Sequence, residues 1–499
     1  MQNGTLLAAV DLGSNSFRLE IGRFDHSQIH RTEYLKETVR QGNGLDADRN
    51  LTLEAMQRGW DCLARFGERL AGFEKTQVRA VATQTLREAR NRDEFLDRAN
   101  KILGFPIDVI SGREEARLIY QGVAHVLPQS NERRLVVDIG GRSTEMILGQ
   151  GLDARIMESY RVGSVAWSMK YFPDGQFTPR AFERAEIAAK AVLDEAVNTY
   201  RSGTWDVAYG ASGTIGAVSD VLTAAGWPPG FVTREGLSWL VDRLLKAQSA
   251  DRVRLDGMKD DRRAVIGGGV SVLRAVFDLL GIEQMEAAQG ALRHGLLYDL
   301  LDREQELTDL RSTTVQRLAV KFDTDAAQAQ RVGKVARQLF LMARAGLPTA
   351  ASERFQRKLD WAAQLHEIGS LISHSDYHKH GAYILDNADA PGFALPELHR
   401  LSQLVLGHRG KLRKLDIDFE DRAFIQQLLC LRMAVILCHA RREPDLKGLQ
   451  LESGAEPGRI FVLNCRPGWA EAFPQSAYLL QEEVLAWQKT PWTLIVSGS

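Results

Sequence analysis

The sequence predicts an α/β protein with mixed sheets over about its first 300 residues, then an all-helical region and a small α+β tail. Three observations carry this prediction. β-prone apolar runs alternate with helical patterns as far as residue 300. Residues 7–22 (LAAVDLGSNSFRLEIG) and 134–149 (RLVVDIGGRSTEMILG) align without a gap, so one unit occurs twice. From residue 309 onward apolar residues recur every three or four positions, the period of a helix.

Each copy of the repeat reads as an apolar strand, a turn of Asp, aliphatic, Gly and small residues, a Ser, then a second alternating strand. That pattern predicts a β-hairpin. Asp11 aligns with Asp138, Gly13 with Gly140, Ser16 with Ser143 and Gly22 with Gly149. Val78–Val81 and Ile107–Ile110 are further strands, the first followed by Thr83–Arg90 and the second by SGREEARLIYQGV. Val207–Gly210 leads into ASGTIGAVSDVL, a strand, a small-residue turn and a helix. Ala287–Leu300 begins with small residues and becomes amphipathic.

The turns have their own chemistry. Glycines let backbone approach a ligand closely and point successive N–H groups into one concavity, which favours phosphate. Ser14, Asn15, Ser16, Ser143 and Thr144 add side-chain donors. An Asp at the end of the first strand suits Mg²⁺, held directly or through water, better than phosphate. Two such loops face to face would clamp a phosphoryl group with its metal; either loop alone reads equally as an ordinary tight hairpin.

Composition excludes several classes. Among 499 residues there are 63 Lys+Arg and 64 Asp+Glu, a formal charge of −1, which excludes a bulk basic nucleic-acid binder and an acidic disordered chain. Cys62, Cys430, Cys438 and Cys465 form no CxxC pair, so neither a disulfide scaffold nor a Cys-based zinc site is expected. The N-terminal apolar run, Leu6 to Val10, is too short for a signal-peptide core, and no stretch approaches the ~18 apolar residues of a membrane span. A cytoplasmic protein is expected, with peripheral membrane contact left open.

VDLGSNSFRLEIG, ATQTLREA, ISGREEARLIYQGV, VVDIGGRSTEMILG, GASGTIGA and GALRHGLLYDL, in this order and spacing, resemble the exopolyphosphatase / guanosine pentaphosphate phosphatase family. The resemblance covers residues 5–300, and the rest looks like the helical extension of the long members. It implies two actin-like (ribonuclease H-like) domains with phosphates bound in the cleft between them, and Mg²⁺-dependent release of terminal orthophosphate. The expected division is 1–125 and 126–308 for the actin-like domains, 309–445 for an all-helical HD-like domain and 446–499 for the α+β tail. The catalytic glutamate of the family falls on Glu115, the second-loop acid pair on Asp138 and Glu145, the first-loop acid on Asp11, and the motif arginine on Arg87. Asp11, Asp138 and Glu145 would hold Mg²⁺ through its water shell. Ser14, Asn15, Gly140, Gly141 and Ser143 match phosphate-loop positions, and Gly213 and Thr214 match the third loop. Without the resemblance, Glu115 reads as a solvated acid in the first turn of a helix, where the dipole favours it.

Two departures stand out. The second loop has Arg142 where the family has a third glycine; that side chain narrows the pocket or adds a phosphate ligand. The family's LREG is here Leu292-Arg293-His294-Gly295.

In the C-terminal region TTVQRLAVKF, RKLDWAAQLHEIGSLI, LPELHRLSQLVLGH and IQQLLCLRMAVILCHARR are amphipathic helices. LHEIG followed by HSDYHKHGAYIL looks like an HD phosphohydrolase scaffold, but the His-Asp pair is His366-Glu367 and the late Asp is replaced in Leu437-Cys438-His439, so a scaffold used for binding is expected rather than an active metal site. His378 with its histidine-rich neighbours, and Arg409, Lys411, Arg413 and Lys414, are the candidates for a second cationic track along a polyanion. Arg459–Leu463 and Trp492–Val496 are expected strands of the tail.

The leading expectation is therefore an exopolyphosphatase that releases orthophosphate processively from inorganic polyphosphate, with water activated by Glu115. The alternative is a pppGpp 5′-phosphatase that produces ppGpp. An actin-like ATPase or sugar kinase, and a non-catalytic polyphosphate or alarmone sensor, come behind. The resemblance also implies a homodimer, and nucleic acid is not an expected partner.

Overall fold

The computed structural model describes residues 2–26, 28–128, 130–303, 309–343, 349–454 and 458–498. It divides into two compact units, Met1–Asp309 and Leu310–Ser499. The domain boundary expected at residue 308 lies outside the described residues.

The first unit holds two sheets with one topology. Sheet one contains β1 (Leu6–Leu12), β2 (Phe17–Asp25), β3 (Gln28–Glu37), β4 (Val78–Ala82) and β5 (Ile107–Val109), in the order β3-β2-β1-β4-β5. Sheet two contains β6 (Arg133–Ile139), β7 (Thr144–Gln150), β8 (Asp153–Tyr160), β9 (Val207–Gly210), β10 (Phe231–Thr233) and β11 (Gln284–Ala287), in the order β10-β11-β9-β6-β7-β8. In each sheet an antiparallel meander of three strands is followed by two parallel ones; sheet two adds antiparallel β10 at its edge. These are the actin-like, ribonuclease H-like sheets. Both predicted hairpins form, with Leu12 opposite Phe17 and Ile139 opposite Thr144. β3 and β8 carried no clear apolar alternation because both are largely exposed edge strands.

The two sheets exchange helices. The helix Gly112–Ala124 follows β5 of sheet one yet packs on β7 and β8 of sheet two, where Tyr120 presses on Gly149. The helix Leu292–Arg303 follows β11 of sheet two yet packs on β1 and β4 of sheet one, with Leu297 beside Gly22. They cross at bare backbone. A Cβ on Gly295 would overlap the Leu118 carbonyl, and one on Gly122 the Ala291 carbonyl. Buried charge ties the crossing: Asp299 accepts from Arg79, from Arg117 at 2.5 Å and from Arg303 at 2.7 Å.

The second unit is mainly helical, with helices including Leu310–Lys321, Ala326–Met342, Tyr377–Asn387, Leu395–Gly407 and Arg422–Leu437. It ends in a three-stranded sheet of β12 (Leu449–Ser453), β13 (Ile460–Cys465) and β14 (Thr493–Ser497), order β12-β13-β14, with the helix Pro474–Trp487 between β13 and β14. One apolar core runs from Val315 through Leu428 to Leu494, so helices and tail share it. The buried pair Arg432–Glu483, at 2.5 Å, joins them. Among the described residues no helix is long and apolar enough to cross a membrane.

Candidate functional site

The repeated turns meet at one cleft of about 360 Å³. Gly13 and Gly140 do the same job in each: a Cβ would stand 3.0 Å from the Ser16 carbonyl and 3.1 Å from the Ser143 carbonyl respectively, so a side chain would crowd the turn. The loops touch, with the Cβ position of Gly141 at 2.9 Å from Ser14 Cβ. Gly13, Ser14, Asn15, Ser16, Gly140, Gly141 and Ser143 all line the cleft. Thr85 Oγ1 donates to Ser14 Oγ at 2.8 Å. Asn15 Nδ2 and Ser16 Oγ are buried without a hydrogen-bond partner among the described residues, which is costly unless a ligand supplies one.

The third loop arrives from sheet two. Ser212 caps the helix Gly213–Ala224, accepting from the Thr214 and Ile215 amides at 3.2 and 3.1 Å. The helix N-terminus opens on the cleft, a favourable place for an anion. Thr214 lines it too, although its hydroxyl donates to the Ile139 carbonyl at 3.0 Å.

Acids enter from three directions. Asp11 and Asp138 stand at matching positions on β1 and β6, and both line the cleft. Ser111 caps the helix Gly112–Ala124 by accepting from the Glu114 amide at 3.1 Å, a contact worth about 1 kcal/mol, and so delivers Glu115 from the first turn. Glu115 is 7% exposed and pairs with Arg87 at 3.0 Å. Burial raises the Glu115 carboxyl against the opposing pull of Arg87. Burial, with the Glu115 charge beside it, pushes Asp138 up to about 7. Burial and the charges of Glu115 and Asp138 likewise hold Glu145 well above the usual carboxylate range.

Glu145 pairs with Asp138 as expected but does not line the cleft. It sits opposite Asp138 on β7, accepts from Ser159 Oγ at 2.7 Å, and is absent from the cleft wall. Among the described residues no group of three or more His, Cys, Asp or Glu is gathered to hold an ion. Asp138 and Glu145, directly opposite on the ladder, share one face of sheet two, with Asp11 and Asp138 on the cleft wall and Glu145 set back from it.

Three expected phosphate ligands are also placed elsewhere. Arg87 does not line the cleft; besides Glu115 it bonds Gln84 and, at 2.7 Å, the Ile110 carbonyl. Arg142 turns away from the cleft to Glu88, at 2.9 Å. Thr144 is fully buried and donates to the Val162 carbonyl at 2.6 Å.

The cations that do line the cleft escaped the sequence reading: Arg18, Lys36, Lys259, Arg262 and Arg293. Arg18 donates to Asp11 at 3.2 Å across the β1–β2 ladder, and Arg262 lies over Gly213. Lys36 of β3 reaches Asp261 at 2.5 Å. Only Arg18 had a usable signal, since hairpin register alone sets it opposite Asp11.

In the second unit His378 is no surface ligand. It is 8% exposed in the first turn of the helix Tyr377–Asn387, packed near Tyr377 and His408. His366 and His408 are buried as well, and Glu367 pairs with Arg441 at 2.6 Å. Arg409, Lys411, Arg413 and Lys414 are exposed as expected, with Arg409 over the Tyr377 ring at 4.7 Å.

Comparison with known proteins agrees with this architecture. The pattern of the Ppx/GppA phosphatase family matches residues 21–304, and that of Ppx/GppA phosphatase domain III matches residues 310–484. The chain is similar to a curated Vibrio atlanticus protein named guanosine-5′-triphosphate,3′-diphosphate pyrophosphatase, 40% identical over 448 residues, 89% of either chain. A Vibrio parahaemolyticus protein of the same name is 37% identical across 99% of this chain and 98% of its own. A solved exopolyphosphatase-like protein matches with a TM-score of 0.55 at 26% identity, over 60% of this chain and 98% of its own.

Proposed function

This chain belongs to the Ppx/GppA phosphatase family, a family of phosphoanhydride hydrolases, and from that premise we propose that it hydrolyses the terminal 5′ phosphoanhydride of pppGpp, giving ppGpp and orthophosphate. The observation that carries the substrate is the relatives' shared name together with 37–40% identity along nearly the whole chain. This reverses the order in which the sequence ranked the two substrates. The phosphate loops serve either one, so their motifs held no information on the choice.

The chemistry follows from the walls. Phosphoryl transfer to water needs an in-line nucleophile and neutralised equatorial oxygens. The terminal phosphoryl group sits between the two loops, taking hydrogen bonds from Asn15 Nδ2 and Ser16 Oγ, the donors otherwise without partners. Arg18 and Arg293 add positive charge on the same wall. Glu115 accepts the proton of the attacking water, and its raised affinity for protons suits a base. Asp11 and Asp138, side by side on the cleft wall with Asp138 buried and crowded by Glu115, fit a hydrated Mg²⁺, which when bound would supply charge neutralisation at the phosphate oxygens.

Two measurements test this reading. Orthophosphate release with Mg²⁺ should show a higher kcat/KM on pppGpp than on long-chain polyphosphate at matched terminal-phosphate concentration. A preference for polyphosphate overturns the substrate assignment. The cation placement is tested by thermal melting. Asp138 is raised from 3.8 to about 7, so its protonated form favours the fold; that contribution is complete below its unfolded value and lost as pH rises through 7. A cation pairs with the ionised form and offsets the loss. Mg²⁺ should therefore raise Tm more at pH 8 than at pH 6, and Asp138→Asn should abolish the difference. Equal gains at both pH values would remove Asp138 from the cation site.

A further inference from the structure

Arg142 crosses from the second phosphate loop to the other half of the first unit. Its Nη2 and Nε lie 2.9 and 3.1 Å from Glu88 Oε2, and Nη1 donates to the Gly42 carbonyl at 3.1 Å. Its stem rests on Gly42, where a Cβ would stand 3.2 Å from Arg142 Cδ. The two side chains are only 21% and 15% exposed, so water and salt screen the pair less than one on the open surface.

Glu88 ends the short helix Gln84–Glu88, which also carries Arg87. Gln84 Nε2 donates to Glu88 Oε1 at 2.6 Å, and Gln84 Oε1 accepts from Arg87 Nε at 3.0 Å. Arg87 then reaches Glu115 at 3.0 Å. A continuous chain of polar contacts thus leads from the second phosphate loop, through Glu88, Gln84 and Arg87, to the acid at the cleft.

We infer that Arg142 is a positioning residue for the hydrolytic step. It fixes the helix Gln84–Glu88 against the second phosphate loop and, through Gln84 and Arg87, sets the carboxylate of Glu115 toward the water it activates. A planar guanidinium holds Glu88 and the Gly42 carbonyl at once; a lysine ammonium reaches one of them. The inference rests on the reading of Glu115 given above.

The test uses the full chain and the variants Arg142→Gly, Arg142→Lys, Glu88→Gln and the Arg142→Gly/Glu88→Gln double. For each, kcat and KM for orthophosphate release from pppGpp are measured, with Tm as a check on folding. Arg142→Gly should lower kcat about tenfold and move KM less than about twofold, because orientation is lost and the phosphate donors stay. Arg142→Lys should recover part of kcat. Glu88→Gln should resemble Arg142→Gly, and the double variant should be no worse than the worse single one. A raised KM with kcat intact overturns the inference and makes Arg142 a phosphate ligand. Additive losses, a wild-type kcat in Arg142→Gly, or a fall in Tm that Arg142→Lys does not rescue also overturn it. Glu115→Gln separates the two readings. Near-normal turnover there removes the role of Glu115, whereas the coupling of Arg142 to Glu88 is measured in its own cycle.

Discussion

Glu115→Gln should reduce orthophosphate release by ~10²-fold or more while pppGpp still binds. Glutamine keeps the shape of the side chain and an oxygen that can accept from Arg87, which sits 3.0 Å from the carboxylate. It cannot take a proton from water. Binding should persist because the first-loop donors Asn15 and Ser16, and the third-loop helix end, are untouched. The variant should not be less stable than the parent. Burial already raises the proton affinity of Glu115, so the ionised form is disfavoured in the fold and its removal relieves that cost. The measurements are kcat at saturating substrate, calorimetric affinity for pppGpp and Tm. Turnover near the parent's would sink the assignment of water activation to Glu115.

Gly295→Ala should have the largest effect on stability. The added Cβ would overlap the Leu118 carbonyl and its carbonyl carbon, which belong to the backbone of the helix Gly112–Ala124 and cannot rotate aside. A loss of about 3 kcal/mol or more is expected, at the upper end for overpacking because no side chain can yield. Gly216→Ala is the matched control. Gly216 is also helical, but a Cβ there meets nothing within 4 Å, so the substitution should gain about 0.5–1 kcal/mol. Chemical denaturation of the two variants reads the contrast. A Gly295→Ala protein as stable as the parent would mean that the helix crossing can open without cost.

What the sequence revealed and what it hid follow from chain locality. The hairpins β1–β2 and β6–β7 are central in their sheets and buried, so their residues carry both the apolar pattern and the turn. Glu115 was legible because its helix start, cap and acid lie together in SGREEAR. Lys36, Lys259 and Arg262 were not, since β3 and residues near 260 meet only when the sheets face each other. Arg87 was placed at the phosphate as the motif arginine of the resemblance, and Arg142, in the second loop, was read as narrowing the pocket or adding a phosphate ligand. Each instead satisfies a buried or half-buried carboxylate, Glu115 or Glu88. His378 shows the same error in reverse: a polar-looking stretch becomes a helix that opens with two buried residues, Tyr377 and His378.

The exchanged helices bear on how the chain is made. β1 and β4 are complete once residue 82 has been synthesised, but the helix that packs on them ends at residue 303. More than 200 residues must leave the ribosome in between, roughly 10–40 s at about 5–20 residues per second. During that interval the apolar partners of Leu296, Leu297 and Leu300 stay open to water. The nascent N-terminal half is thus a client for any chaperone that binds exposed sheet, and a ribosome stalled before residue 292 releases a fragment with one face uncovered.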